Sequence, residues 1–290
     1  MRKTLIINAD DFGLTRGVNS AIAECARLGT VRSATIMANA PAFDDAVRTA
    51  GETPSLGVGI HFVLTGLEPL SGDVPDLAPN GLLPSSPVEL LKIALTRRQA
   101  RRQIEKELLA QTEKVFDSGI VPTHFDSHKH VHIIPPVHEI MMDIARRFSV
   151  KWIRNPFESM GAVRFVRDVQ AGRRIVFLKQ YVAGSVTNPV SCCFQARIAR
   201  SGLRTPDFFH GVAATGLMNG DILRHLCRFL RPGINELMTH PGYLDADLES
   251  QKTRLLLSRE QERNLYASAG ARELFAAHGI DISHFGEVNL

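Results

Sequence analysis

The feature of this sequence that most constrains its fold is a repeated alternation between short apolar runs and stretches of helical periodicity. Residues 4–8, 31–39 and 55–64 are apolar runs of strand length, and 17–29 and 41–51 between them are amphipathic with a helical period. The same criteria predict further strands at 120–126, 151–155, 234–240 and 280–288, and further helices at 88–118, 136–149, 222–230 and 258–279. Strands joined through helices run parallel, because the crossover returns the chain to the same edge of the sheet. We therefore predict an α/β fold with a (β/α) barrel-like arrangement of mostly parallel strands and crossover helices; a doubly wound open sheet is the alternative.

Two stretches interrupt this alternation. Residues 65–87 are rich in Gly, Pro and Asp and are too long for an ordinary connection, so we predict a long functional loop there. Residues 160–215 show no clear period. We find no linker that would divide the chain, and we predict that residues 1–290 form a single domain.

Composition and charge argue against several classes of protein. The chain has 34 Lys and Arg against 30 Asp and Glu. Its densest basic stretch, 96–106, lies in a helical pattern without aromatic residues for base stacking, so we interpret it as a solvated helix face and expect no nucleic-acid partner. No apolar stretch has the length of a membrane span. We interpret the four cysteines as reduced and mostly buried thiols, which is typical of a cytoplasmic protein.

Polar side chains of the kinds that bind metals or transfer protons follow the predicted strands. They are Asp10 and Asp11 after 4–8, His61 within 55–64, a histidine cluster after 120–126, Arg154 and Asn155 after 151–153, and His240 at the end of 234–240. In parallel α/β folds the carboxyl ends of the strands meet at one edge, where sites are built. The sequence therefore predicts that these groups form one site.

The adjacent acids Asp10 and Asp11 admit two interpretations. Two neighbouring carboxylates disfavour each other's ionisation, and burying either one costs free energy unless it is paired or binds a metal. One interpretation is that Asp10 caps a turn and Asp11 caps the next helix. In the other, a divalent cation holds one carboxylate ionised and the second serves as a base.

Histidines supply the remaining candidates. His124, His128, His130 and His132 lie within nine residues together with Asp126, a density that favours metal binding over a structural role. His61 alone would be interpreted as a core histidine, and its position at a strand end makes it a candidate ligand. His240 precedes Pro and Gly, so it is either a turn residue or a catalytic acid. The chain lacks G-x-S-x-G, P-loop and G-x-G-x-x-G motifs, which disfavours serine-nucleophile and nucleotide chemistry.

At these residues the sequence resembles a known family. The segments NADDFGL, GIHFVLT, THFDSHKHVH and THPG are similar to those of the YdjC-like carbohydrate deacetylases, which include the chitooligosaccharide deacetylases. The resemblance is close over residues 3–156 and returns at 234–243. A branch associated with hopanoid lipid biosynthesis shares similar features, including GLRTPDFFHG at 202–211.

The resemblance implies a barrel-like fold and one divalent metal ion, Mg²⁺ or Zn²⁺, held by Asp11, His61 and His128. By the same resemblance Asp10 is the general base and His240 the general acid. Arg154 resembles an arginine that steadies the base, and we also assign it to substrate binding. The two histidine ligands lean toward zinc or another transition metal.

The function implied is hydrolysis of the acetamide of an N-acetylated amino sugar, in an oligosaccharide or a glycolipid. The alternatives are another metal-dependent hydrolase, a phosphoesterase or amidohydrolase, and a sugar-binding homologue without activity. The expected partner is the sugar substrate, and a homodimer is one assembly that the sequence leaves open.

Overall fold

A computed structural model describes residues 2–158, 160–251 and 253–288 of the chain. Its strands are β1 (Lys3–Phe12), β2 (Ser33–Ile36), β3 (Gly57–Phe62), β4 (His124–Ser127), β5 (Trp152–Ile153), β6 (Phe208–His210), β7 (Gly233–Thr239) and β8 (Ile280–Ile282). Seven of them follow the order β5-β4-β3-β2-β1-β7-β6, and β8 pairs with the first residues of β1. Every strand pair within this part of the chain is parallel, as predicted.

The two ends of this sheet approach each other. Isolated parallel bridges join Trp152 of β5 to Arg204 and Phe209 of β6 to Glu158, so the sheet curls into a barrel-like form. The prediction of a (β/α) barrel-like fold is therefore confirmed. The three-residue strand β6 lies inside the stretch 160–215 that showed no period, because so short a strand has no room for one.

The helices cover the outside of the sheet. They are α1 (Arg16–Arg27), α2 (Phe43–Gly51), α3 (Pro87–Thr96), α4 (Ala100–Asp117), α5 (Pro135–Arg147), α6 (Arg174–Ser185), α7 (Ser191–Arg200), α8 (Gly220–Phe229), α9 (Ala246–Glu249), α10 (Leu257–Tyr266) and α11 (Ala269–Ala277). Two predicted helices are each divided in two, 88–118 at residues 97–99 and 258–279 at 267–268. At the second break the Ser268 side chain accepts the backbone N–H of Ala271 and starts a new helix. No helix within the described ranges combines the length and apolarity of a bilayer span.

The interior of the barrel is layered. Successive residues of a strand point to opposite faces, so Leu5 and Ile7 of β1 pack outward under the helices while Ile6 points inward. Ile6 joins Trp152, Ile234 and Phe285 in a separate apolar cluster, which we call the floor of the barrel. The chain after β8 supplies Phe285, so the C-terminal segment closes the amino ends of the strands.

The loop 65–87 is held against α4 by two polar side chains, of which Glu107 is buried and Gln103 half-buried. The Glu107 carboxylate accepts the backbone N–H groups of Leu70, at 3.1 Å, and Ser71, at 2.9 Å. Gln103 similarly accepts two N–H groups farther along the loop. The basic residues of 96–106 are exposed, as predicted, and the opposite side of α4 anchors this loop.

The four cysteines are free thiols. Cys25 and Cys227 are buried, but Cys192 and Cys193 are exposed on α7. The expectation of mostly buried thiols is therefore correct for only two of them.

We expect Phe285→Ala to destabilise the protein by about 3–5 kcal/mol, because it empties the centre of the floor. The Phe285 ring is 2 % exposed and stacks on His124, with ring centroids 3.9 Å apart. Denaturant unfolding measures the change, and Phe229→Ala is the matched control, since that ring is 53 % exposed. If both variants lost the same free energy of unfolding, the packing of Phe285 in the floor would not be the cause.

Candidate active site and metal centre

A β-bulge at the end of β1 aims two adjacent carboxylates into one site. Between Ala9 and Phe12 strand β1 has one residue more than β2 opposite, and Asp11 has a φ of +65°. In a regular strand Asp10 and Asp11 would point to opposite faces, but an extra residue and a left-handed backbone turn the second side chain round. Both side chains are consequently buried at the carboxyl edge of the sheet.

Asp11 lies between two histidines. Its Oδ1 is 3.4 Å from Nε2 of His61 and 3.2 Å from Nδ1 of His128. Ligands of a tetrahedral zinc ion at 2.0–2.1 Å are separated by about 3.3 Å, so these spacings suit a small divalent cation. The three side chains form one of two groups of potential ligands within the described residues. They are the residues that the resemblance implied as metal ligands.

Each buried member of this triad is oriented by another side chain. Asp126 Oδ1 is 2.7 Å from Nδ1 of His61, which directs Nε2 of that ring toward Asp11. A carboxylate behind a histidine ligand fixes its tautomer and raises its basicity. The other oxygen of Asp11 accepts a hydrogen bond from Arg259 of α10. The donor set is therefore preorganised, as a metal site requires.

Arg154 organises the carboxylates below the triad. Its two Nη atoms donate to both oxygens of Asp10, each at 2.7 Å, and Nη1 also lies 2.7 Å from Asp126. Its Nε donates to Glu236 at 2.6 Å. The side chain is 0 % exposed and all of its nitrogens face carboxylates, so it fits the role of steadying the base and offers no open donor for a substrate. The second group of potential ligands, Asp10, His61 and Asp126, is the one that Arg154 already occupies.

The buried charges leave room for a divalent cation. Four carboxylates (Asp10, Asp11, Asp126 and Glu236) face two guanidinium groups, those of Arg154 and Arg259. Burial alone would lower the pKa of His61, but Asp126, Asp11 and Asp10 raise it to about 10. Burial raises the pKa of Glu236 to about 7 despite its contact with Arg154. The cluster thus attracts positive charge, and a cation bound to His61 would take the place of the proton on that ring.

His240 lies beside Asp10 across the strand pair. Ala9 and Thr239 are register partners in β1 and β7, so Asp10 and His240 follow them at the same level. The buried Glu262 accepts the backbone N–H of His240 at 2.7 Å and the hydroxyl of Thr239. Burial lowers the pKa of the His240 ring, against the opposing influence of Asp10 and Asp11.

The other histidines of the cluster are outside the triad. His124 faces the floor, where it stacks on Phe285. His132 bonds to Ser127 and lies 3.2 Å from the carbonyl of Arg154, which gives it a structural role. His130 follows a left-handed Lys129, is itself left-handed at φ +54°, and turns its ring edge toward Phe209.

Sequence reasoning assigned no role to four residues that complete the site. Asp126 lies inside the histidine cluster and could have been recognised by its position at a strand end. Glu236 has a weaker signal, a charged residue in an apolar strand. Arg259 and Glu262 lie in a helix whose sequence is polar throughout, so nothing there separates the two inward-facing charges from the solvated ones.

Comparison with known proteins identifies the family of this chain. A family profile described as YdjC-like protein matches residues 4–277. The chain belongs to the YdjC-like family. This match runs through 160–230, where the resemblance in the sequence alone was poor. Assignment to the hopanoid-associated branch stays a prediction.

Relatives of this YdjC-like protein include two proteins named as sugar deacetylases. A carbohydrate deacetylase of Geobacillus stearothermophilus is 36 % identical over 252 residues, 86 % of this chain and 84 % of the relative. A chitooligosaccharide deacetylase of Klebsiella pneumoniae is 40 % identical over 174 residues, 60 % of this chain and 66 % of the relative. A solved structure of a proposed cellobiose-phosphate cleavage protein from Enterococcus faecalis is similar over 100 % of both chains, with a TM-score of 0.78 and 22 % identity. At that identity the structural likeness supports the fold alone.

We expect loss of divalent-metal binding in Asp11→Asn and His128→Gln, because each removes an atom of the triad. Asp126→Asn should weaken binding by about 10–100-fold, since it only orients His61. Metal content and titration calorimetry measure both effects. His225→Gln is the control, because its ring pairs with Asp168 outside the barrel. Retention of full affinity in His128→Gln would rule out this donor set.

Arg154→Met should destabilise the protein by about 3–5 kcal/mol at neutral pH, because it leaves buried carboxylates without their partner. Burial disfavours ionisation of Asp10, yet Arg154 holds the pKa of that carboxyl well below its usual range. Without Arg154 the pKa rises, so the variant should regain part of its stability as the pH falls and the acids protonate. Urea unfolding against pH measures this, with the exposed Arg101→Met as control. A loss that does not change with pH would contradict the electrostatic cause.

Proposed function

We propose that this chain is a metal-dependent carbohydrate N-deacetylase. It would hydrolyse the acetamide of an N-acetylated amino sugar, in an oligosaccharide or a glycolipid, to acetate and a free amine. The enzyme class that we predicted, a hydrolase of an amide bond, is confirmed by the two relatives named as deacetylases. The reaction, the metal requirement and the residue roles below are our proposal.

The observation that carries this proposal is the division of partners between the two adjacent acids. Asp11 faces two histidines, whereas Asp10 is bound on both oxygens by Arg154. Only Asp11 therefore has the surroundings of a metal ligand. Asp10 stays ionised next to it, which is the state that a general base needs.

In this mechanism Asp10 accepts a proton from the water that attacks the acetamide carbon. Arg154 keeps Asp10 ionised and oriented, and in doing so makes it a weak base. When bound at Asp11, His61 and His128, a divalent cation would polarise the acetamide carbonyl and acidify the attacking water, which suits a base of this strength.

His240 is the proposed general acid. Its backbone is fixed by Glu262, and its ring lies level with Asp10 at the end of the neighbouring strand. Burial lowers the pKa of the ring, which makes the protonated form a stronger acid toward the departing sugar nitrogen. Asp10 and His240 would thus act as the base and acid of one reaction.

A cytoplasmic location belongs to the same proposal. It rests on the four free thiols, of which Cys192 and Cys193 are exposed to solvent. Exposed thiols persist in reducing compartments and are oxidised elsewhere.

The test is acetate release from N-acetylglucosamine oligomers by the metal-loaded protein. We expect Asp10→Asn to lower kcat by about 10²–10⁴-fold, because it removes a general base. Its metal content should stay unchanged, since Asp10 is outside the triad. Asp143→Asn is the control, because that acid lies on the exposed face of α5.

Two outcomes would contradict the proposal. Full acetate release by Asp10→Asn with metal bound would exclude it as the base. Release of phosphate from model esters by the wild-type protein, without acetate release from the oligomers, would favour the phosphoesterase alternative.

A further inference from the structure

The segment 160–200 differs in charge from the rest of the chain. It contains seven basic residues and one acid, whereas the whole chain has 34 basic residues and 30 acidic ones. The basic residues are Arg164, Arg167, Arg173, Arg174, Lys179, Arg197 and Arg200, all of them exposed. The acid Asp168 pairs with His225, and Arg197 is 3.3 Å from Glu139. Most of the positive charge of this segment is therefore unneutralised.

The same segment exposes an unusual amount of aliphatic surface. Seven of the 14 large apolar side chains that are exposed in the described residues lie between Val163 and Val190. Ile175, Leu178, Val182 and Val186 are 40–74 % exposed. Their spacing of three or four residues puts them on one face of α6 and its C-cap. Large exposed apolar patches mark interaction surfaces in proteins.

The helix that carries this face packs with its opposite side on the edge of the barrel where the candidate active site lies. Gln180 of α6 donates to the carbonyl of Thr215 at 3.1 Å, and Gly184 packs against Val212. Residues 211–216 directly follow the carboxyl end of β6. The helix thus lies beside the loops that surround the site.

We propose that the 160–200 segment docks on an anionic membrane surface, with α6 lying in the plane of the interface. A helix of 12 residues, about 18 Å long, is too short to span a bilayer but can bury its aliphatic face among the lipids. Arg173, Arg174 and Lys179, which lie on α6 or directly before it, would reach the anionic headgroups on their flexible stems.

Two other occupants fit this face less well. A second copy in a two-fold contact would bring the same cationic surface against itself, which is repulsive. Single-stranded nucleic acid is bound with stacking aromatic rings, whereas Phe165, Phe177 and Phe194 of this segment are buried, and a duplex offers no apolar layer for the aliphatic side chains. An anionic lipid interface offers both an apolar layer for the exposed aliphatic side chains and negative headgroups for the basic residues of the segment.

The test is flotation of the full-length protein with lipid vesicles. One set consists of phosphatidylcholine, and the other of phosphatidylcholine and phosphatidylglycerol in equal parts. We expect binding to the anionic vesicles, weakened by salt. Lys179→Glu should lower the partition coefficient by about 25-fold, since each charge near the surface contributes about 5-fold. Val182→Ser should lower it by about 10-fold through lost apolar burial.

Matched controls come from the opposite edge of the barrel. Val121 is 78 % exposed and Lys151 is exposed, and both precede strands at their amino ends. Val121→Ser and Lys151→Glu should bind vesicles like the wild-type protein. Thermal unfolding shows whether each variant is folded. Because the readout is binding, it succeeds or fails independently of the deacetylase assay.

Three results would overturn the proposal. They are the absence of preference for the anionic vesicles, an equal loss of binding in the controls, and a dimer in solution that Val182→Ser dissociates while vesicles do not bind.

Discussion

The structure depends on one buried arginine. Arg154 has no exposed surface, and its guanidinium bonds to Asp10, Asp126 and Glu236 inside the barrel. A charge taken out of water is tolerated only with partners of good geometry, and the planar fork of arginine can serve several carboxylates at once. These contacts set which strands must lie close together, since β1, β4 and β7 each contribute one carboxylate and Arg154 directly follows β5. They also separate the apolar floor from the open edge, so that charged groups collect where the site lies.

The bulge in β1 places the charges of two adjacent acids in different surroundings. It makes neighbours in sequence into members of different networks, with Asp11 directed to His61 and His128 and Asp10 to Arg154. A left-handed backbone at a residue other than glycine costs about 1 kcal/mol or more and persists only where the surroundings hold it. Here Arg259 holds the Asp11 carboxylate from the opposite side. The strain of one residue therefore gives the site two acids with distinct electrostatic environments.

Two peripheral regions frame the site in different ways. The loop 65–87 is fixed to α4 through the buried Glu107 and the half-buried Gln103, so it is a well-anchored wall. The segment 160–200 packs its inner face through Phe165, Phe177 and Phe194, and leaves aliphatic and cationic side chains in solvent. The barrel interior is adapted to chemistry on a polar group, whereas this outer segment is adapted to contact with a surface. The candidate site and the 160–200 segment lie at the same edge of the barrel, because α6 packs on the loop after β6.

The sequence alone determined the parallel α/β class and seven of the eight strands, because the alternation of strands and helices is a local pattern. It also placed a set of ligand-type side chains at strand ends, namely Asp10, Asp11, His61, His128 and His240. It could not supply the partners of those residues. Arg259 lies 248 residues from Asp11, and Glu236 lies 82 residues from Arg154. Such pairs depend on closure of the sheet, which no local pattern records. The bulge at Asp11, the short strand β6 and the breaks in two helices are likewise fixed by packing. Tertiary structure decided that Asp11 faces the histidines, because only the folded barrel brings Arg154 against Asp10.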